Sequence, residues 1–433
     1  MTGFRFLTAG ESHGPALGVT LEGLPAGIPV TADAIAVDLR RRQGGYGRGA
    51  RQAIELDRAE ILAGVRHGRT IGSPVLLLVR NRDWENWTRV MQVEPLSDEE
   101  AAELAALADG GNKRAQAVTR VRPGHADLAG ALKYGFDDVR PILERASARE
   151  TAARVAAGAV CRAFLAELGI EAWSFTAEVG GVAVDRAACT RSREESEASP
   201  LRCPDPAAEA GMIARIDEAR ALGNTVGGVF EVVAHGLPIG LGSHVHWDRR
   251  LDGALAAAIM SIPSVKGVEL GLGFEQTRRL GSEVHDVIEG RDAAGGWIHS
   301  SNNAGGLTGG ITNGEPLVVR GAVKPISTLA RPLPSADLRT GEAVEKAHYE
   351  RSDISVVPAA GVIGEAMVML TLAGFVLEKA GGDSLAEVRD NLERYRERLA
   401  RPTRGSAAST SSAAGPAATR EPGSGEAGSG GDD

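Results

Sequence analysis

Apolar positions along the chain follow two periods. Between 147 and 168, Ala152, Val155, Ala156, Ala159, Val160 and Leu165 recur at helical intervals, the spacing of one buried face. Leu17, Val19 and Leu21 alternate instead with small or polar residues, as on a half-buried strand. Runs over 60–66, 74–81, 226–234 and 315–320, bounded by Gly, Pro or Asn, predict further strands. Thr31 is expected to begin a helix through Arg42, while 252–262 and 360–380 are apolar enough to be buried helices. Three segments match the Ser-x-x-Glu capping box: Ser97 with Glu100, Ser147 with Glu150, and Ser384 with Glu387. Helices and strands interleave without a regular βαβ rhythm. The pattern therefore predicts an α+β fold rather than a doubly wound sheet.

The periodicity stops near residue 400. Residues 401–433 hold no aliphatic side chain larger than alanine and are rich in Ser, Gly, Pro and Thr. Such a segment cannot bury enough surface to offset its ordering entropy, so a disordered tail is expected behind one folded domain, 1–400. Two phrases recur within that domain. Gly23-Leu-Pro-Ala-Gly27 returns as Gly236-Leu-Pro-Ile-Gly240, and the strand run from Ile71 resembles that from Thr312. Internal duplication and chance turn chemistry both account for the echo.

Composition narrows the function classes. The 433 residues carry 48 basic and 57 acidic side chains, a net charge of −9, with 43% apolar and only 4% aromatic residues. That is a globular chain, too acidic for a general nucleic-acid coat and too poor in aromatics for a single-strand stacking platform. Three cysteines (Cys161, Cys189, Cys203) form neither a disulfide framework nor a C-x-x-C pair, which suits a reducing compartment. Cys161 falls on the apolar helix face and reads as core. No apolar run approaches the ~20 residues of a membrane span, and Met-Thr-Gly-Phe-Arg-Phe at the N-terminus lacks the long apolar stretch of a signal peptide. A cytoplasmic protein with no membrane or nucleic-acid partner is expected.

Several segments carry chemistry. Gly10-Glu-Ser12-His13-Gly14 fits the G-x-S-x-G nucleophile elbow, but that motif needs a strand–turn–helix, and Leu17 onward reads as a strand. The adjacent Ser12 and His13 still suit proton transfer. Five arginines between Arg40 and Arg51 interleave with glycines, a pattern fitting either a solvated helix end or an anionic small molecule. In Arg122-Pro-Gly-His125-Ala-Asp127 a turn presents a histidine beside a carboxylate that orients or tunes it. Arg145-Ala146-Ser147 leads into a helix N-terminus, where exposed N–H groups favour anions and Ser147 also serves as a cap. Glycine density over 305–314, followed by Lys324 to Thr328, suggests backbone packed against a flat or phosphorylated ligand, though neither a Walker loop nor a dinucleotide fingerprint. Arg351-Ser-Asp353 sets a cation beside a carboxylate. His244 and His246 have no third ligand at metal spacing, so no metal site is expected.

Taken together these segments resemble chorismate synthase over residues 4–395. The hallmarks occur in order: GESHG at 10–14, RRRQGGYGRG at 40–49, RPGHAD at 122–127, RASARET at 145–151, GGLTGGITNG at 305–314, KPIST at 324–328 and RSD at 351–353. The resemblance implies a β-α-β sandwich with helices between antiparallel sheets, assembled as a homotetramer. It implies 1,4-elimination of phosphate from 5-enolpyruvylshikimate 3-phosphate to give chorismate, requiring reduced FMN, in the shikimate pathway. By the same resemblance His13 protonates the leaving phosphate, His125 governs the flavin N1 edge and Asp353 assists at N5. Ser12 and Ser147 relay protons, and Arg42, Arg48 and Arg122 clamp substrate anions or NADP. Arg145, Ala146, Ser147, Pro263, Ser264, Gly309, Lys324, Pro325, Ile326, Ser327, Thr328 and Arg351 line the FMN site. Ala146 and Pro263 depart from the family pattern; a backbone contact survives either change and a side-chain contact does not. Residues 83–118 are expected to form a mobile flap. NADPH or an external flavin reductase is the candidate source of reducing power, and a flavin reductase without the elimination is the competing class.

Overall fold

The computed structural model describes residues 3–49, 56–293, 295–350 and 352–401. The expected tail, apart from Arg401, and Arg351 lie outside the described residues. Two antiparallel sheets enclose a layer of helices. The first sheet has the order Arg5–Ala9 (β1), Ala16–Glu22 (β2), Val75–Arg80 (β4) and Ala59–Ala63 (β3). The second has Glu171–Val179 (β5), Gly228–His235 (β6), Leu317–Val323 (β8) and Val265–Leu270 (β7), with Val182–Ala183 as a short edge beside β5. Helices Ala32–Gln43 (α1) and Thr151–Ala166 (α2) pack on the first sheet; Leu251–Met260 (α3) and Val357–Ala380 (α4) pack on the second. The predicted helices and strands are therefore present, their ends shifted by at most four residues.

Close approach of α2 to α4 joins the layers. A Cβ on Gly158 would lie 2.4 Å from the Cβ of Ala366, so only glycine permits this separation. Helix α4 overturns one expectation, for it is long and apolar enough to cross a membrane, with mean hydropathy 2.0 over eighteen residues. Most of that window is buried inside the protein, which makes α4 the core helix. Cys161 is buried on α2 as expected, and burial pushes its thiol well above the usual range.

One charged cluster crosses the helix layer. Glu365 on α4 is fully buried and accepts from Arg41 through both oxygens at 2.8 Å, from Arg162 at 2.6 Å, from Arg202 at 3.0 Å and from the Ser174 hydroxyl at 2.6 Å. Asp38 pairs with Arg41 and Arg162, each at 2.8 Å, and Glu197 with Arg202 at 2.8 Å. Burial alone would raise the Glu365 pKa. The three guanidinium groups outweigh it and hold the carboxyl at about 2.

The second sheet repeats the first. In each, the second strand runs into a Gly-Leu-Pro-x-Gly loop whose glycines have positive φ: 86° and 96° at Gly23 and Gly27, 79° and 100° at Gly236 and Gly240. The Thr70 hydroxyl donates to Pro25 O at 2.7 Å and accepts from Ile28 N at 2.9 Å. Thr312 does the same with Pro238 O at 2.6 Å and Leu241 N at 2.8 Å. A helix, a third strand and an antiparallel fourth strand follow in both copies. The echo in sequence is thus a structural duplication. The hairpin Leu307–Thr308 with Ile311–Thr312 answers to Val65–Arg66 with Arg69–Thr70 in the first copy, whereas the hairpin Ile288–Arg291 with Trp297–His299 is an insertion between the third and fourth strands of the second, so the two phrases recur at different spacings.

Candidate active site

The turn between β1 and β2 carries Ser12 and His13. Gly10 sits at φ 106° with its missing Cβ 2.4 Å from Ala16 O, so the chain turns there only as glycine. A second strand, not a helix, follows, and G-x-S-x-G builds no nucleophile elbow. The turn is held from a distant element, the short helix Arg140–Arg145. Ser12 N donates to Glu144 O at 3.1 Å, and His13 N donates to Glu144 Oε2 at 2.8 Å. His13 Nδ1 lies 3.0 Å from both Glu144 oxygens, and its ring stacks on Trp87 at 3.9 Å and 20°. Asn81 donates to Gly14 O at 3.0 Å from below.

A second group forms where the 122–127 turn meets 324–328. Arg122 holds the buried Asp127 carboxylate with Nε at 2.8 Å and Nη2 at 3.0 Å, and reaches the Thr328 hydroxyl at 3.4 Å. His125 Nδ1 lies 2.5 Å from Asp127 Oδ1. Burial would raise the Asp127 pKa, but His125 and Arg122 hold this carboxyl far below the usual range. Lys324 Nζ donates to Gly124 O, and its backbone N donates to Ser264 O at 2.9 Å. Ser264, next to the half-buried Pro263, takes the left-handed φ of 71°. Burial, then the neighbouring Lys266, push the Lys324 ammonium down. Pro325 is exposed, Ile326 O accepts from Thr225 at 2.8 Å, and Ser327 lies close to Gly124.

The third group is cationic. Arg42 is buried, donating to the Thr151 hydroxyl and Ala148 O at 2.9 Å each. Burial and then Arg48 lower its guanidinium to about 10. Arg149 grips Asp57 at 3.0 and 2.9 Å. Arg48 Nε lies 3.3 Å from Asp353 Oδ2 yet is a buried donor without a hydrogen-bond partner, and burial pushes this guanidinium down as well. Gly49 N donates to Asp353 Oδ1 at 2.6 Å. Arg145 folds back on the first turn, donating to Gly10 O at 3.0 Å and Thr8 O at 3.2 Å. Ala146 closes the 140–145 helix.

Ser147 Oγ accepts from Arg149 N at 3.3 Å, so it caps, but the capping box expected with Glu150 does not form. Glu150 instead accepts from Thr8 at 2.8 Å and from Arg154 at 3.0 Å, and a 3₁₀ turn over Ala148–Glu150 precedes α2.

Glu350 and Asp353 connect the groups. Glu350 feels Arg122, His348 and His13, which together outweigh burial and lower its pKa, while Asp353 meets Arg48. Gly309 lies on the 307–312 hairpin, which packs against residues 240–251. Of the flap, the start places Trp87 on His13, whereas the helix Asp98–Asp109 has its predicted Ser97 capping box and no buried residue. Sequence reasoning missed Trp87, Arg140, Glu144, Glu350 and the Arg149–Asp57 pair. Only Arg140 and Glu144, four apart, carried a local signal.

Two histidines each tied to a buried carboxylate, beside clustered arginines and an unsatisfied guanidinium donor, define an acid–base site for a multiply anionic small molecule. The comparisons give that class a particular family. The model of the chorismate synthase family matches residues 4–377. Chorismate synthases of Solibacter usitatus and Geobacter sulfurreducens are each 55% identical over 401 residues, covering 91% of this chain and 99% and 98% of theirs. A crystal structure of chorismate synthase superimposes with a TM-score of 0.71 at 42% identity, covering 92% of this chain and 99% of the other. The chain belongs to the chorismate synthase family.

Proposed function

We propose that this protein is a lyase converting 5-enolpyruvylshikimate 3-phosphate to chorismate and phosphate, requiring reduced FMN. The observation that carries the reading is the Arg48 Nε, a buried cationic donor without a hydrogen-bond partner although Asp353 lies 3.3 Å away, beside Arg42, on which Arg149 also acts. Such a donor fits an anion, and this substrate bears a phosphate and two carboxylates. Arg42, Arg48 and Arg122 bind and orient it. His13 gives a proton to an oxygen of the departing phosphate as the allylic C–O bond breaks, and Ser12 and Ser147 relay protons to and from solvent.

The donor set also fits FMN. Lys324 beside Lys266, with Ser327, Thr328 and backbone near Ser264, suits a phosphate-bearing flat group, and the neighbouring pair of cations favours an anion between them. When bound, reduced FMN would supply electron density to the allylic system of the substrate as the C–O bond breaks and would recover it as the C–H bond gives up its proton, without net redox change. His125, fixed by Asp127, holds a proton at the flavin N1 edge, Asp353 assists at N5, and Arg145, Ala146, Ser147, Pro263, Ser264, Gly309, Lys324 to Thr328 and Arg351 line the site. Exposed Phe274, Leu280, Val287 and Ile288 support burial between copies in a cytoplasmic homotetramer.

The test is anaerobic. Protein is mixed with substrate and either oxidised or dithionite-reduced FMN, and phosphate and chorismate are followed together. Equimolar products only with reduced FMN are expected, and their absence from folded protein overturns the reading. NADPH replacing dithionite then tells self-reduction from an external reductase.

A further inference from the structure

We propose that Glu144 is the positioning residue for His13, setting which ring nitrogen carries the transferable proton. The proposal rests on the assignment of His13 as the acid of the elimination. Glu144 is 1% exposed and spends both oxygens on one residue, meeting the backbone N of His13 at 2.8 Å and its Nδ1 at 3.0 Å. A carboxylate can only accept, so Nδ1 must carry hydrogen and the proton exchanged with substrate resides on Nε2, the opposite edge of the ring. The Trp87 stack at 3.9 Å fixes the ring plane, leaving rotation about χ2 no room. A purely structural carboxylate would need only the His13 backbone amide and Arg140 beside it; here the ring is held as well.

The charges around this pair are distributed so that the arrangement survives protonation of the ring. Arg140 stands 3.7 Å from Glu144 on the same helix, and its guanidinium lies 5.3 Å from the Trp87 ring centre, with that of Arg114 at 5.6 Å. From the segment after His348, Glu350 faces His13 with Arg122 and His348 beside it. Imidazolium at His13 therefore has Glu144 at one edge and Glu350 within electrostatic reach. After Nε2–H passes to the departing phosphate oxygen, the ring is left neutral in the Nδ1–H form that Glu144 already accepts. No tautomer exchange is needed before the next proton arrives at Nε2.

The test uses the full chain with reduced FMN and four variants: E144Q, E144D, H13A and E144Q/H13A. A general acid contributes about 100- to 10,000-fold, and the part that depends on the tautomer puts the expected kcat loss in E144Q at about 10- to 100-fold. KM is expected to stay within about twofold, because the substrate-binding arginines are untouched. The descending limb of the pH–rate profile moves to lower pH, E144D recovers part of kcat, and E144Q adds less than about twofold to H13A. Nitrogen-15 shifts of His13, read without substrate, change from the Nδ1–H pattern in E144Q.

Unchanged shifts overturn the proposal whatever the rate does. So does an E144Q loss that is equally large in the H13A background. A fully active H13A instead overturns the acid assignment itself, and the shifts still report whether Glu144 sets the tautomer. If E144Q does not fold, E144D with the same shifts and double-variant comparison decides.

Discussion

Replacing Glu365 with glutamine tests whether the buried cluster across the helix layer stabilises the fold. The carboxyl is pulled from the ordinary 4.5 to about 2 by Arg41, Arg162 and Arg202, which together overcome burial. At about 1.4 kcal/mol per pH unit, this amounts to roughly 3 kcal/mol in favour of the folded state. Breaking a buried pair by removing one partner costs about 3–5 kcal/mol, a separate route to the same size. Glutamine keeps the shape but turns one acceptor into a donor facing guanidinium groups that only donate.

The pH dependence has a definite sign. A depressed carboxylate pKa gives stability that is complete above about pH 4.5 and is lost as pH falls toward 2. The gap between wild type and E365Q in urea unfolding should thus be about 3 kcal/mol at pH 6–7 and shrink by about 2 kcal/mol by pH 3. Equal midpoints at pH 7, or a gap that does not change with pH, would refute the reasoning.

Two further substitutions probe the packing. Gly158→Ala would stabilise an isolated helix by about 1 kcal/mol; here the added Cβ meets Ala366 at 2.4 Å, so thermal unfolding should fall to a lower temperature, and a rise would show that the helices separate freely. Thr70→Val and Thr312→Val each orphan a loop carbonyl and amide, at about 1–3 kcal/mol apiece. Matching losses in chemical unfolding are expected, and a loss in only one would mean the loops are not equivalent.

What the sequence made legible is local. The Ser97 and Ser384 capping boxes formed, Glu100 meeting its cap through Oε2 while Oε1 takes Arg89, whereas Glu150 is drawn away to Thr8 and Arg154. His13 and His125 stood out as histidines in turns, and Asp127, two residues from His125, came with its motif. Glu144 reaches His13 across 131 residues of chain, and nothing near either residue announces the pairing. Trp87 likewise looked like part of a loop, since its role comes from a stack rather than a motif. The duplication was half visible: two five-residue phrases survived, while the threonines that clamp them gave no sign of equivalence without the hydrogen bonds.

That duplication makes the molecule a dimer carried on one polypeptide. Each four-stranded unit supplies a central helix, α2 or α4, whose inner face finds its counterpart only in the other unit. Covalent linkage keeps the halves at an effective concentration that separate chains would have to reach by expression alone. Relieved of that demand, the halves have been free to diverge in their connections. The first keeps a six-residue turn around His13, and the second spends its length on the 288–299 hairpin and on the long excursion from residue 180 to 227.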